Sequence, residues 1–249
     1  MADKNGAEIV SGLNNEYINV KLSDVIKTGS YGGNQKFFKP LEGTANEYKY
    51  RYGCGLVALA DTILYMSTAV KGSMKVKGTK YTSDLASMEE YRDYFDGIVS
   101  MTGWVPTPIG ATNAWLVFAF NLMAVRKLRG YVGFWGLSRR KIFGRVNRML
   151  SENIPVILCI PNVINIFRRK KYKLKLYVPD TDCRHYEQVN THFVTVTGIV
   201  QRGERIFYRV SSWGMEYEID IREYDQMLKG LLFGNILGNV LVIRKVLPL

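Results

Sequence analysis

Two histidines, His185 and His192, are all the imidazole that this 249-residue chain contains. Any reaction that needs a histidine must therefore use one of them. Cysteine is nearly as scarce. Cys54, Cys159 and Cys183 form an odd set at scattered spacing, which argues against a disulfide framework and against a zinc centre built from close cysteine pairs. Free thiols fit a reducing compartment. Long apolar runs are also missing: Ala114 to Val125 is interrupted by Asn121, stops short of the ~20 residues that cross a bilayer, and reads as a core helix. The opening Met-Ala-Asp-Lys-Asn-Gly-Ala-Glu lacks the basic-then-apolar order of an export signal, so the expected address is the cytoplasm. Neither an internal repeat nor a low-complexity tract interrupts the chain.

At 47% hydrophobic residues, the sequence can bury one large core or two lobes. Its net charge of +12 is localised. Residues 126–175 hold fourteen Lys or Arg against a single acid, Glu152, while the rest of the chain carries twenty bases and twenty-one acids. Such a field attracts nucleic acid, an anionic membrane surface or an acidic polypeptide, or else serves as a solvated face. No nucleic-acid-binding motif accompanies it, and only Tyr172 and Tyr177 interleave with the cluster at Arg168 to Lys175. The alternation from Tyr172 to Val178 predicts an edge strand whose lysines discourage aggregation.

Residues 1–45 are polar, with a turn-rich patch at Thr28 to Asn34, and predict an arm laid on the core whose first ~10 residues are disordered. Apolar residues at 56, 57, 59, 60, 63, 64 and 66 predict a helix that starts at Cys54. Lys71 to Lys80 reads as a loop. A helix capped by Ser83 follows, lined by Met88, Tyr91 and Phe95; another begins at Thr112 or Asn113, and a third runs from Ser138 to Leu150. Then the period shifts. Pro155 to Ile160, Lys173 to Val178, His192 to Val200 and Asn239 to Val246 read as strands, and Ile206 to Val210 pairs with Glu216 to Ile221 around a turn at Trp213-Gly214. The order predicts an α+β fold, a helical half at 46–150 followed by an antiparallel β half at 151–249.

Arg51-Tyr-Gly-Cys-Gly-Leu56 puts a cysteine where irregular chain becomes helix. The positive end of the helix dipole and the unpaired N–H groups of the first turn favour thiolate over thiol, which makes a nucleophile; the other reading is a small buried filler. Flanking glycines would let a substrate backbone approach. His192 opens a strand in Asn190-Thr-His-Phe-Val-Thr-Val-Thr-Gly198, where it can take a thiol proton and return it to a leaving group, or can be a hydrogen-bonded histidine at a strand end. Cys159 reads as core. Cys183 and His185 share the stretch Asp180-Thr-Asp-Cys-Arg-His185, too few ligands on one loop for a good zinc site. No metal and no cofactor are expected.

Gly-Cys-Gly opening a helix, Thr-His-Phe-Val-Thr-Val-Thr-Gly on a strand, and Ser211-Ser-Trp-Gly214 before a turn together resemble the papain-like cysteine peptidase superfamily. The chain is more similar still to its bacterial branch of bacteriocin-leader (double-glycine) peptidases, a resemblance that Ser151-Glu-Asn-Ile-Pro-Val-Ile157 extends. It covers about residues 46–221 and implies a two-lobed papain-like domain over 46–249. It further implies Cys54 as nucleophile, His192 as general base and acid, Ser211 in the place of the asparagine that orients the imidazole, and Trp213 as the shield of that contact. Two positions depart from the family. Its oxyanion glutamine, six residues before the cysteine, is Tyr48 here, with Asn46 nearby as a substitute, and its asparagine is a serine. The implied activity is hydrolysis of a peptide or amide bond. The competing expectation is a catalytically weak or silent member of the fold whose basic stretch, 126–175, binds nucleic acid, anionic membrane or an acidic protein.

Overall fold

The computed structural model describes residues 7–22, 29–40, 42–85, 87–103, 110–161, 173–179, 183–230 and 234–246. The fold mixes helices with antiparallel sheets. In chain order the strands are β1 (Glu8–Gly12), β2 (Asn19–Lys21), β3 (Gly29–Tyr31), β4 (Met74–Val76), β5 (Thr79–Tyr81), β6 (Asp84–Leu85), β7 (Tyr131–Trp135), β8 (Val156–Ile160), β9 (Leu174–Tyr177), β10 (Tyr186–Val189), β11 (His192–Arg202), β12 (Arg205–Ser212), β13 (Met215–Asp220) and β14 (Leu241–Lys245). The helices are α1 (Ala45–Tyr52), α2 (Cys54–Lys71), α3 (Met88–Thr102), α4 (Asn113–Met123), α5 (Ile142–Ser151), α6 (Ile221–Lys229) and α7 (Gly234–Leu237). The chain divides into two compact units, a sheet unit of residues 1–14, 135–211 and 216–242, and a helical unit of residues 15–134, 212–215 and 243–249. The division falls near residue 135 rather than 151, so α5 belongs with the strands.

The sheet unit is organised on β11, whose β-branched, almost wholly buried sequence suits an interior strand. Its first half pairs with β8, from His192 opposite Ile160 to Val196 opposite Val156, and its second half pairs with β1. Along its other edge runs β12. The order continues through β13 and β9 to β10. Helix α5 buries Ile142, Val146, Met149 and Leu150, a stripe at helical spacing, and packs on β1, β8 and β11. It ends in a Schellman turn: Asn153 takes φ 58°, and the N–H groups of Asn153 and Ile154 reach the carbonyls of Leu150 and Met149 at 2.9 and 2.8 Å. Pro155 then prevents the helix from continuing.

Three expectations about this unit change. Residues 1–6 lie outside the described residues, but Ala7 is buried and Glu8–Gly12 form β1, because β11 offers them an unpaired edge. The strand β9 is interior, not an edge: β10, at Tyr186–Val189, covers it, and Lys175 extends over the rings of Tyr177 and Tyr186. Helix α6 was absent from the sequence reading, although Asp220 caps it through the N–H groups of Arg222 and Glu223 and Tyr224, Met227 and Leu228 form its buried stripe.

The helical unit is built around α2. By length and composition α2 could cross a membrane, yet Gly55 to Ser67 are all buried within the fold, as a core helix requires. It packs against α3 and α4, with Phe38 against Phe95 at 4.5 Å and Phe37 edge-on to Tyr91 at 5.6 Å. Thr112 caps α4 as expected. Ser83 does not cap α3: β6 occupies Asp84–Leu85, and the cap is Ser87, whose Oγ accepts from the N–H of Glu90. Lys71 to Lys80 is not a plain loop either. It contains the hairpin β4–β5, whose turn residues Lys77 and Gly78 both take positive φ, the mirror-image turn that suits the twist of paired strands.

Candidate functional site

Cys54 is the first residue of α2, separated from α1 by Gly53 alone. Gly53 is required by sterics within the chain itself: a Cβ there would lie 2.2 Å from the carbonyl oxygen of Lys49, which also accepts the Gly53 N–H at 3.0 Å. The glycine thus permits the tight joint between two helices. The joint leaves Cys54 half-buried at the amino end of an 18-residue helix, where the dipole and first-turn N–H groups favour negative charge.

The other thiols sit in different surroundings. Cys159 is buried in the middle of β8, its N–H bonded to Asn239 and its carbonyl accepting from the Tyr224 hydroxyl at 2.7 Å. Cys183 packs against Ala7, Tyr177, Val200 and Phe207 with φ 61°, and burial pushes its thiol up. Asp180 to Asp182 lie outside the described residues. Among the described residues no three His, Cys, Asp or Glu gather closely enough to hold a metal ion.

One loop connects the α1–α2 joint to the β12–β13 turn. Asn34 donates its side-chain N–H to the carbonyl of Trp213 at 2.6 Å, and Gly214 accepts the Tyr31 N–H at 2.8 Å. The next residue, Gln35, donates its amide to Tyr50 at 2.8 Å and Arg51 at 3.5 Å, the last turn of α1 before Cys54. The loop is itself tethered from below. Asp61 of α2 accepts the Gly33 N–H at 2.8 Å and the Tyr91 hydroxyl at 3.0 Å, and burial pushes its carboxyl up to about 7. Gly33 admits this arrangement, since a Cβ would lie 1.8 Å from the Tyr91 hydroxyl oxygen. Trp213 and Gly214 take φ 50° and 74°, and positive φ is costly for a bulky residue. The turn is therefore held against local preference by the loop it contacts.

In the sheet unit His192 is 6% exposed. Burial alone pushes its imidazole down to about 4, so the ring is neutral at physiological pH, the state in which it can accept a proton. Ser211 stands opposite Thr195 on the neighbouring strand, three residues along from His192. Strand side chains alternate between faces, and β11 keeps an unbroken register from His192 to Val196. By this alternation Ser211 shares the face of Thr195, and the next residue, Ser212, alternates to the other face.

Of the oxyanion candidates, Tyr48 lies half-buried on α1 with its ring stacked 6.3 Å from Tyr52, and Asn46 is exposed on the same helix. Sequence reading missed Asn34 and Gln35, which nothing but their turn-rich setting distinguished. Comparisons with protein-family models, curated proteins and solved structures find no match to this chain. The basic stretch is partly engaged inside the fold: Arg126 and Lys127 donate to the carbonyls of Met101 and Lys75, Arg139 pairs with Asp225, and Arg145 reaches Ser138 and Asn239. The cluster at Arg168 to Tyr172 lies outside the described residues.

Proposed function

We propose that the chain is a papain-like thiol hydrolase of peptide or amide bonds, its two units serving as the two lobes of that fold, with Cys54 as nucleophile and His192 as general base. The observation that carries this reading is the position of Cys54: it is the first residue of a long helix, whereas Cys159 is core and Cys183, half-buried like Cys54, is packed on a hydrophobic cluster. The neutral imidazole of His192 takes the thiol proton, the thiolate attacks the carbonyl carbon, and the imidazolium returns the proton to the leaving amine; water then releases the acyl group from sulfur. Gln35, bonded to the last turn of α1, supplies the oxyanion amide in place of Tyr48 and Asn46, its second N–H making just a 3.5 Å contact with Arg51 that a substrate oxygen can displace. Alternation along β12 favours Ser212 over Ser211 for orienting the imidazole. The Trp213 turn keeps its part as the shield.

Alkylation tests the reading. Iodoacetamide at pH 6 to 7 should label Cys54 well ahead of Cys159 and Cys183, and His192→Ala should slow that labelling and abolish hydrolysis while circular dichroism stays unchanged. Similar slow labelling of all three thiols would sink the nucleophile. It would favour instead a silent member of the fold, for which salt-sensitive polyanion binding should persist in Cys54→Ala. Gln35→Ala should lower kcat on the order of 100-fold with Tyr48→Phe nearly neutral; the opposite ranking returns the oxyanion to Tyr48.

A further inference from the structure

The sheet unit contains a cavity of about 380 Å³ between the start of α5, strand β12 and helix α6. Its size falls within the ~300 to 1,000 Å³ typical of small-molecule sites. The floor is apolar, with Ile142 and Leu228 buried beside the ring of Tyr208. The rim is cationic: Arg139, Arg140, Arg222 and Lys229 face a single carboxylate, Asp225. That carboxylate is already engaged by Arg139 at 2.6 Å and Lys229 at 2.8 Å. Although burial opposes ionisation, hydrogen bonds from Lys229 and Arg139 hold Asp225 below its ordinary value. Arg140 and Arg222 make no ion pair with any described residue; the one polar contact of the Arg222 side chain is the Glu204 carbonyl at 3.4 Å.

A second, independent observation comes from the floor. Tyr208 is 1% exposed, yet its hydroxyl makes no hydrogen bond to a described residue, whereas the neighbouring Tyr224 hydroxyl donates to Cys159. The Tyr208 hydroxyl oxygen is nevertheless not one of the buried polar atoms left without a partner, so the small exposed part of the residue is this hydroxyl, which opens to the cavity. It lines the cavity and stays protonated, since burial of the residue pushes it well up, so it can donate to an acceptor placed there.

We propose that this cavity binds a small amphipathic anion, with an aryl or acyl body on the apolar floor, one carboxylate, sulfonate or phosphate group held by Arg140 and Arg222, and a polar atom accepting the Tyr208 hydroxyl. A long polyanion fits less well: it would use a row of exposed cations and gain nothing from a concave apolar floor. The inference does not depend on the thiol-hydrolase reading, since none of its residues takes part in that chemistry.

The test uses the full chain at 0.1 M salt with two fluorescent probes, anilinonaphthalene sulfonate and its neutral analogue N-phenyl-1-naphthylamine. The sulfonate should bind saturably at one site per chain and tighter than the amine. The double variant Arg140→Gln, Arg222→Gln, which alters two exposed side chains, should weaken the sulfonate at least about tenfold and leave the amine unchanged. Tyr208→Phe should weaken the sulfonate severalfold and leave the melting temperature close to that of the parent, because the hydroxyl it removes opens to the cavity and makes no hydrogen bond to a described residue. Sulfonate binding that is non-saturable, unchanged in the double variant, or matched by the neutral amine overturns the proposal, as does complete displacement by a heparin fragment but not by octanoate.

Discussion

The sheet unit buries an imidazole and the helical unit buries a carboxyl, and burial acts on both in the same way. It favours the uncharged form, pushing His192 down to about 4 and Asp61 up to about 7. The consequences differ because the two groups have opposite charge types. His192 becomes a neutral proton acceptor at the head of β11. Asp61 becomes an anchor, holding Gly33 and Tyr91 so that the loop carrying Asn34 and Gln35 stays on α2. The comparison teaches that desolvation sets a protonation state, while the hydrogen bonds around it decide whether that state serves chemistry or architecture.

Stability should follow this contrast with opposite signs. The folded pKa of His192 lies below its ordinary 6.5, so the unfolded chain takes a proton that the fold refuses. Its contribution is complete above 6.5 and is lost as pH falls toward 4, roughly 3 kcal/mol in all. The folded pKa of Asp61 lies above its ordinary 3.8. Its contribution is complete below 3.8 and is lost as pH rises through 7, roughly 4 kcal/mol. Between pH 4 and 6.5 the slopes largely offset each other.

The largest expected effect comes from the core that supports the anchor. Phe95→Ala removes a fully buried ring packed at a tilt against Phe38 and should cost about 3 to 5 kcal/mol in urea unfolding, against about 0.5 to 1.5 for Ile199→Val in the buried middle of β11. Next come the two titrating groups, measured as unfolding free energy from pH 4 to 7. Asp61→Asn should leave stability rising with pH, and His192→Gln should leave it falling; slopes of the same sign in both variants would break the comparison. The smallest effect contrasts two turns. Gly78→Ala meets open space and incurs only the penalty of positive φ, whereas Gly214→Ala also brings a Cβ to 3.2 Å from the Cβ of Ser30. Thermal melts should show both variants destabilised, with Gly214→Ala worse by about 1 kcal/mol.

Much of this architecture is legible in the residue pattern. The α2 stripe, the Thr112 cap, the Pro155 strand and the Trp213-Gly214 turn all rest on local periodicity or a single turn-forming residue. The misses have identifiable causes. Helix α1, Ala-Asn-Glu-Tyr-Lys-Tyr-Arg-Tyr, buries only Lys49 and has no apolar stripe to find. The hairpin at Lys77-Gly78 and the cap at Asp220 did carry turn and capping signals, outweighed by the lysine-rich and charged sequence around them. In the candidate site, Cys54, His192 and Trp213 stood out by motif. Gln35 and Asp61 did not, because a glutamine in a turn and an aspartate in an apolar helix acquire meaning only from their partners, Tyr50 in one case and Gly33 with Tyr91 in the other.

By itself the sequence determined the turn at Trp213-Gly214, the Thr112 cap of α4 and that Cys54 opens a helix, since each depends on sterics and hydrogen bonds spanning a few residues. Only the tertiary structure decided that Ser211 lies opposite Thr195, that one loop holds both the Trp213 turn and the end of α1, and that burial pushes Asp61 up to about 7 and His192 down to about 4. Strand register, loop docking and desolvation are set by groups remote along the chain, and no local pattern encodes them.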